Sequence, residues 1–352
     1  MITNFYDLIV YISNNHNEKE TQDIISFLNG ISFLDDLFPY LVRNKILHYF
    51  YNFLVMHQLT YLLDNVSYKL LNQIVTASTL KNREYEHVFA ILHRELEDQK
   101  IPYAVIKGFH LNNSIYANGN GFIMRDYNDI DLLVNRNDLS KVNEVLREVG
   151  FLQGNLNRKT LSIEPCSRKE RIDMLINTHQ EYQHIKPSIY SDISPYNFQL
   201  VDVNFTIWEG GNQPDYIEVT QLLEQRVLRT SYLGMDYWTL QPQYDLIQLC
   251  YHFYKDTNYE IKKKKNESLR IIHLYDLLFL LRRYKAELNL NLLYEIITAA
   301  HIENQIYFVL SLVQSIFSCE QLDGLLNELS SMVTLETKEK IDFSLNFIKS
   351  GL

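Results

Sequence analysis

Cysteine, glycine and proline are all scarce in this sequence of 352 residues. The three cysteines, Cys166, Cys250 and Cys319, are widely spaced and form neither a disulfide framework nor a zinc-binding pattern. Such cysteine usage is typical of a protein in the reducing cytoplasm. The 11 glycines and 7 prolines are few for this length, which favours a chain rich in helices.

Basic residues and long apolar runs are also lacking. Lys and Arg number 33 against 43 for Asp and Glu, so the net charge is −10. General binding to nucleic-acid backbones needs a basic surface, and a nucleic acid is therefore not the expected partner. The most apolar stretch, residues 46–63, is interrupted by His48, Asn52 and His57 and is too polar to span a membrane. The N-terminus lacks the charged region and cleavage site of a signal peptide, so a cytoplasmic location is expected.

Hydrophobic residues, at 46% of the chain, are abundant enough for a sizeable core. Their spacing is helical in residues 1–99, alternates between short strands and helices in residues 100–240, and is helical again in residues 241–352. We therefore predict an α+β protein in which a small mixed β-sheet core is flanked by helical N- and C-terminal regions.

The strands and helices of this core follow from short apolar runs and turn residues. The predicted strands are Tyr103–Ile106, Ile130–Val134, 160–163, 171–176, 199–208 and Val227–Thr230. Helices are predicted at 109–116, 138–149 and 218–225, and a turn at 118–121. In the N-terminal region, residues 42–63 are predicted to form one long buried helix.

Two acidic residues, Asp129 and Asp131, stand where the strand Ile130–Val134 begins. Side chains at positions i and i+2 of a strand lie on one face, with Cα atoms roughly 6.5–7 Å apart. Two such carboxylates can bridge divalent cations lying about 3.5–4 Å apart, the arrangement used for in-line phosphoryl chemistry. Oxygen ligands of this kind suit Mg²⁺ or Mn²⁺. Solvated acids are also common at strand ends, but charge entering an apolar strand is costly and favours a metal site.

The order of features in residues 104–151 is specific as a set. A buried strand is followed by Lys107 and Gly108, a helix, Arg125, and then the hexapeptide Asp-Ile-Asp-Leu-Leu-Val that begins at Asp129. A further helix leads to a Gly-Phe pair at residues 150 and 151. This order resembles the uncharacterised bacterial nucleotidyltransferases of the DNA polymerase beta-like superfamily.

The resemblance implies transfer of a nucleoside monophosphate from a nucleoside triphosphate (NTP) to a hydroxyl-bearing acceptor, with release of pyrophosphate. Asp129 and Asp131 would then hold Mg²⁺ or Mn²⁺. A third carboxylate would share a metal and activate the acceptor. Asp202, a lone acid in the strand 199–208, is the candidate, and Asp173 in the strand 171–176 is its rival. The family commonly has a His two residues after this acid, where this chain has Asn204.

The Lys107–Gly108 pair stands where the wider superfamily has Gly-Ser and holds a nucleotide phosphate at the start of a helix. Here Phe109 replaces the Ser. Gly108 would allow close approach of the backbone, and Lys107 would supply charge. Arg125 would either clamp phosphate or neutralise Asp126 and Asp129.

Two features of the C-terminal region stay open. His252 and Asp276 stand where family members often show His and Asp, and hydrogen bonds between helices explain them as well as catalysis does. The run of four lysines from Lys262 to Lys265 is expected to form a solvated loop, and a grip on triphosphate or a polyanionic acceptor is the alternative.

Two other functions are possible. Toxin-type nucleotidyltransferases modify RNA or protein, but they usually have Lys-Gly-Gly where this chain has Phe109 as its third residue. A non-enzymatic nucleotide-binding protein could keep the same fold, although the intact Asp129 and Asp131 argue against it. The expected acceptor is a small molecule or peptide rather than a nucleic acid, with no membrane involved. The sequence identifies neither the acceptor nor the nucleotide base.

Overall fold

The structure, a computed structural model, describes residues 2–14, 18–116, 124–157, 159–189, 198–208, 218–231, 234–258 and 269–350. Contacts divide the chain into two compact units, a helical unit and a sheet unit. The helical unit comprises Met1–Val75 and Leu249–Leu352, and the sheet unit comprises Thr76–Gln248. The three-part division with boundaries near residues 99 and 240 stays a prediction.

The described helices alternate with short 3-10 and π-helical turns. In chain order the α-helices are α1 (Phe5–Ile12), α2 (Glu18–Asn29), α3 (Phe38–Arg43), α4 (Leu47–Met56), α5 (Asn65–Asp98), α6 (Lys107–His110), α7 (Leu139–Glu148), α8 (Arg168–Asn177), α9 (Val219–Glu224), α10 (Pro242–Asn258), α11 (Ile271–Arg283), α12 (Leu290–Ala299), α13 (Glu303–Phe317), α14 (Asp323–Leu329) and α15 (Leu335–Lys349). π-Helices cover Phe33–Leu37 and Leu111–Ile115, and 3-10 helices cover Thr60–Leu62, Arg136–Asp138 and Glu320–Leu322.

Within the described residues of the sheet unit, eight strands form one mixed sheet. They are β1 (Tyr103–Ile106), β2 (Ile130–Val134), β3 (Leu152–Asn157), β4 (Ser162–Pro165), β5 (His184–Pro187), β6 (Phe198–Asn204), β7 (Val227–Thr230) and β8 (Asp236–Thr239). Their order across the sheet is β4-β3-β5-β6-β2-β1-β8-β7. Strand β2 pairs parallel with β6 and antiparallel with β1, which itself pairs parallel with β8. The α+β prediction is confirmed.

The long helix predicted for residues 42–63 is wrong, because two left-handed residues interrupt it. Lys45 and Gln58 each have a φ of 57°. The next backbone N–H in each case donates five residues back, from Ile46 to Leu41 O at 3.0 Å and from Leu59 to Leu54 O at 2.7 Å. Such bonds end a helix, and glycine usually stands at the left-handed position. Here a long side chain takes that position, so the sequence carries no glycine to mark either end.

The strand predicted for residues 171–176 is also wrong, since these residues lie within α8. The Ser167 hydroxyl accepts a hydrogen bond from the Glu170 N–H at 3.2 Å, and the Glu170 carboxylate accepts one from the Ser167 N–H at 2.7 Å. This reciprocal capping starts a helix. No side chain of α8 is fully buried, so the helix has no apolar face whose spacing would mark it in the sequence.

The other strand and helix predictions hold to different degrees. Strands β1, β2 and β7 have the predicted bounds, whereas β4 is shifted from 160–163 and β6 ends at Asn204 rather than at 208. Strands β3, β5 and β8 were not predicted. Helices α7 and α9 confirm the predictions for 138–149 and 218–225. The helix predicted at 109–116 begins earlier, at Lys107, and becomes a π-helix at Leu111. The predicted turn at 118–121 lies outside the described residues.

The core of the sheet unit lies on one face of β2 and β6. From β2 it contains Ile130, Leu132 and Val134, and from β6 it contains Val201 and Val203. These side chains pack with apolar residues of α5 and α7, among them Val88, Phe89, Leu92, Val142, Val145 and Leu146. Because successive side chains of a strand point to opposite faces, the residues between them on β2 and β6 face away from this core.

Within the part of the chain that the structure describes, no single helix is long and apolar enough to cross a bilayer. The pair Thr21–Leu28 and Phe33–Arg43 meets the criteria of length and composition only together, and it is bent by 98°.

Gly154 of β3 lies against the neighbouring strand β4 and has no room for a side chain. A Cβ there would lie 2.9 Å from the Glu164 carbonyl carbon and 3.1 Å from Pro165 Cα. We expect Gly154→Ala to lower the free energy of unfolding by about 1–3 kcal/mol, because two backbones must separate. Gly324→Ala is the matched control, since nothing lies within 4 Å of its Cβ position in α14. That control should be neutral or stabilising by up to about 1 kcal/mol. Equal denaturant midpoints for the two variants would contradict the β3–β4 pairing.

Candidate active site

Strand register brings the predicted carboxylates together. Asp131 of β2 lies opposite Ile106 of β1 on one side and opposite Asp202 of β6 on the other. Residues opposite each other on adjacent strands share a face, so Asp131 and Asp202 both point away from the core. Asp131 is 5% exposed and Asp202 is partly buried. Asp129 lies one residue before β2.

Two side chains contact the Asp131 carboxylate at the same oxygen. The Lys107 ammonium lies 3.0 Å from Asp131 Oδ1, and the Asn204 amide donates a hydrogen bond to it at 3.3 Å. Lys107 follows β1 directly and has a φ of 56°, in the left-handed region that non-glycine residues rarely adopt. Such backbone outliers cluster at functional sites. The Asn204 amide thus holds Asp131 in position.

Asp202 is poised between its protonated and ionised forms. Burial, with the neighbouring Asp131 and Asp129 as further causes, raises the pKa of Asp202 from 3.8 to about 7. The Gln183 amide donates to Asp202 Oδ1 at 3.2 Å, and this bond and the charge of Lys107 oppose the rise. Carboxylates that converge in this way repel one another unless positive charge is added.

Helix α5 holds the segment that leads into Asp129. The Lys81 ammonium donates to Asp126 Oδ1 at 2.6 Å and to Asn128 Oδ1 at 2.9 Å. The Tyr85 hydroxyl donates to the Asn128 carbonyl and accepts from the Leu200 N–H of β6 at 2.9 Å. One phenol group therefore connects the starts of the two strands that carry the site. Lys81 forms an ion pair with Asp126. Neutralisation of Asp126 was one of the two roles considered for Arg125.

Gly108 lies beneath the segment 125–127. A Cβ at Gly108 would lie 2.9 Å from Tyr127 Cβ and 3.0 Å from an Arg125 guanidinium nitrogen. Tyr127 is buried, so a larger residue at position 108 would displace the chain that leads to Asp129. The geometry also brings Arg125 and the Lys107–Gly108 turn to the same place.

A buried polar network holds the helix that follows this turn. His110 Nε2 lies 3.1 Å from Asp245 Oδ2, and His110 Nδ1 lies 3.2 Å from both the Tyr237 and Ser114 hydroxyls. Burial raises the pKa of Asp245, and the adjacent His110 opposes that rise. His110 is three residues from Lys107 on the same short helix. The network therefore also restrains the Lys107–Gly108 turn.

The site now has a family context. A sequence profile for a protein family described as "Uncharacterised nucleotidyltransferase" matches residues 34–318. The chain belongs to this nucleotidyltransferase family. A search of curated proteins finds no match. A similar solved structure is that of an antigenic nucleotidyltransferase-like protein from Paracoccidioides brasiliensis, with 14% identity over 70% of this chain and 93% of that one. Its TM-score of 0.33 is too low to support a functional argument.

In this nucleotidyltransferase family member, the predicted site residues fall into two groups. Asp129, Asp131, Asp202, Lys107, Gly108 and Arg125 all belong to the site just described. Asp173, the rival third carboxylate, lies exposed on α8 rather than on a strand. His252 and Asp276 lie in the helical unit, on α10 and α11. The lysine run Lys262–Lys265 lies outside the described residues.

Four side chains of the site escaped the sequence analysis or were misread there. Gln183, Lys81 and Tyr85 come from distant parts of the chain, and no local pattern marks them. Asn204 departs from the family's His, and its position two residues after Asp202 predicts that both share one strand face. Its contact with Asp131 was not predicted, because that contact depends on the pairing of β6 with β2.

The residue set fits a divalent cation of the magnesium type. Asp131 and Asp202 offer carboxylate oxygens side by side, and Asp129 is close enough to influence the pKa of Asp202. Hard oxygen donors are the ligands that Mg²⁺ and Mn²⁺ prefer. Burial first, and the charges of Asp131 and Asp129 second, raise the pKa of Asp202, and a bound cation would favour its ionised form.

Stability should depend on pH through Asp202. Because its pKa is raised in the folded protein, its stabilising contribution is present at low pH and is lost as the pH rises from about 4 to about 7. Asp202→Asn cannot ionise. Without divalent metal, the variant should gain several degrees in Tm over the wild type between about pH 5 and pH 8, since each kcal/mol is worth about 2–4 °C. Thermal melts across this range measure the difference.

The exposed Asp173→Asn is the control for this pH experiment and should follow the wild type throughout. Added Mg²⁺ or Mn²⁺ should stabilise the wild type more than Asp202→Asn, because the cation favours the ionised carboxylate. Parallel curves for wild type and Asp202→Asn at every pH would show that Asp202 is not buried among like charges.

Proposed function

We propose that this protein is a metal-dependent nucleotidyltransferase that transfers a nucleoside monophosphate from an NTP to a hydroxyl group of an acceptor. The observation that carries the proposal is the alignment of Asp131 with Asp202 on adjacent strands, next to Asp129 and the Lys107–Gly108 turn. In the reaction the acceptor oxygen bonds to the α-phosphorus. The bond from that phosphorus to the oxygen bridging to the β-phosphate breaks, and pyrophosphate leaves.

The three carboxylates divide the work in this proposal. Asp129, Asp131 and Asp202 would hold Mg²⁺ or Mn²⁺, which polarises the phosphoryl oxygens and neutralises their charge. Asp202 would also take the proton of the acceptor hydroxyl. A bound cation favours the ionised form of Asp202, which is the form that accepts a proton. Gln183 and Asn204 would keep the two carboxylates of β2 and β6 in place.

Phosphate binding is assigned to Lys107, Gly108 and Arg125. The missing side chain of Gly108 leaves room for the Arg125 guanidinium, which lies 3.0 Å from the position of an added Cβ. In the proposal, Arg125 and Lys107 would bind one phosphate group beside this turn. Lys107 contacts Asp131 at 3.0 Å. When a cation takes over the neutralisation of Asp131, the ammonium becomes available for a phosphate oxygen. Lys107 would thus exchange one anion for another as the substrate binds.

The acceptor is proposed to be a small molecule or a peptide. The net charge of −10 disfavours a polyanionic acceptor such as RNA. Phe109 is buried in the core, in the place where toxin-type enzymes usually have a second glycine, so that alternative has less support. The intact carboxylate set argues against a binding protein without activity.

Labelled nucleotides test the proposal directly. The protein is incubated with Mg²⁺, a cell extract and each NTP, labelled at either the α- or the γ-phosphate. We expect label from the α-position, and none from the γ-position, on the acceptor, together with pyrophosphate. Transfer of γ-label would indicate a kinase, and label in RNA or a protein would favour the toxin-type alternative. Magnesium-dependent NTP binding without any transfer would support the non-enzymatic alternative.

Asp129→Asn and Asp131→Asn should reduce this transfer below detection, because each removes a metal ligand. Asp131→Asn also leaves the Lys107 ammonium beside a neutral amide, so its Tm is measured in parallel. Asp129→Asn lies before the strand and serves as the second variant if the first is unstable. Normal transfer by Asp129→Asn in a folded protein would refute the proposed metal site.

The transfer rates of Asp202→Asn and Asp173→Asn show which of the two acids is the third carboxylate of the site. Asp202→Asn should lower the transfer rate by about 10²–10⁴-fold, the usual contribution of a general base, with a smaller effect on NTP affinity. Asp173→Asn, on the exposed helix α8, should retain the wild-type rate. Single-turnover rates and NTP titrations measure the two effects separately. The reverse ranking would move the role to Asp173.

A further inference from the structure

A second group of potential metal ligands lies in the helical unit. His252 and Asp256 belong to α10, and His273 belongs to α11. The Nε2 atoms of both histidines lie 3.8 Å from the same oxygen, Asp256 Oδ2. The three ligand atoms all lie within 4.8 Å of one another. None of these residues belongs to the proposed catalytic site.

Local structure fixes the orientation of the three side chains. His252 and Asp256 are four residues apart on one helix, which places them on the same face one turn apart. His273 lies in the first turn of α11, where its ring stacks on Phe253 with centroids 5.5 Å apart. The two imidazole rings meet edge to face, also at 5.5 Å between centroids. Asp256 itself is only 2% exposed.

The distances suit a shared cation better than direct hydrogen bonds. A nitrogen–oxygen hydrogen bond normally spans about 2.7–3.2 Å, so 3.8 Å is too long. In a tetrahedral zinc site with bonds of about 2.0–2.1 Å, two ligand atoms lie roughly 3.3–3.5 Å apart. Small side-chain movements would bring the three atoms to that separation. A dication there would also place positive charge beside a carboxylate that is buried.

The donor set favours Zn²⁺ and related transition metals over Mg²⁺. Two imidazole nitrogens and one carboxylate oxygen are typical of Zn²⁺ sites with an open fourth position. Mg²⁺ prefers oxygen ligands and is bound through carboxylates rather than imidazoles. The two sites of this chain therefore differ in chemistry, since the carboxylates of the sheet unit suit Mg²⁺ and the histidine pair suits Zn²⁺.

We propose that His252, Asp256 and His273 bind one Zn²⁺ ion, with water as the fourth ligand. The ion would connect α10 to α11 and close the chain between Asp256 and His273, which contains the lysine run 262–265. Cross-linking two segments of a chain restricts the unfolded state, and metal binding to the folded state adds to its stability. The proposed zinc binding does not depend on the proposed transfer reaction.

The test uses the full chain carrying Asp129→Asn and Asp131→Asn, so that the carboxylate site does not contribute. This protein is freed of metal with a chelator and titrated with ZnCl₂, and bound metal is measured by mass spectrometry. We expect one Zn²⁺ per chain and a higher Tm with zinc. Co²⁺ in its place should give the visible absorption bands of a tetrahedral site.

His252→Gln and His273→Gln, each added to this background, should weaken zinc binding by more than about 10–100-fold, the loss that removal of an outer-sphere partner alone causes. Each should also abolish the cobalt bands and the zinc-dependent rise in Tm. His57→Gln, an exposed histidine of the same unit, is the matched control and should bind zinc like the parent. Circular dichroism confirms that each variant is folded.

The proposal is overturned if the parent binds no zinc, or if both histidine variants, when folded, bind zinc as tightly as His57→Gln does. A third variant, Asp256→Asn, removes the buried ligand. If it does not fold, the zinc titration of the two folded histidine variants decides whether the proposal stands. Retained cobalt bands in His273→Gln would also overturn it.

Discussion

The site depends on the packing of like charges side by side on one sheet face. Asp131 and Asp202 lie opposite each other across a parallel strand pair, and the Lys107 ammonium contacts the first of them. Mutual repulsion and burial would separate such carboxylates in a less constrained chain. Here the backbone hydrogen bonds of β1, β2 and β6 and the apolar core on the opposite face hold the strands in register. The stability of the core thus maintains a charge arrangement that is unfavourable by itself.

Much of this arrangement can be predicted from local sequence. Strands β1 and β2 are short apolar runs with clear ends. The alternation in β6 places Asp202 on the sheet face opposite to that of Val201 and Val203. Residues 171–176 show the limit of this reasoning. Their apolar residues suggest a strand, but a capping pair at Ser167 and Glu170 starts a helix that buries no side chain fully. Local hydrogen bonds, and not hydrophobic spacing, decide the structure there.

The parts that could not be predicted depend on pairing between distant segments. Strands β3, β5 and β8 have mixed or exposed side chains, so their strand structure comes from their neighbours in the sheet. Gln183 meets Asp202 only because β5 pairs with β6. Nothing in the sequence around Lys81 and Tyr85 predicts a role at the site, because their contacts with Asn128 arise only in the folded chain. The helix ends at Lys45 and Gln58 could not be predicted either, because no glycine marks the left-handed position.

Tyr85 has an effect that reaches beyond its own contacts. Its hydroxyl joins the Asn128 carbonyl to the Leu200 N–H, and burial raises the pKa of Tyr85 well above its usual range, so the group stays a donor. The segments that carry Asp129 and Asp202 are therefore spaced by the length of one phenol that reaches them from α5. Strand pairing fixes the spacing of Asp131 and Asp202, whereas Tyr85 positions the segment before β2 that leads to Asp129. A substitution at position 85 would therefore move Asp129 relative to Asp131 and Asp202 without altering any of the three acids.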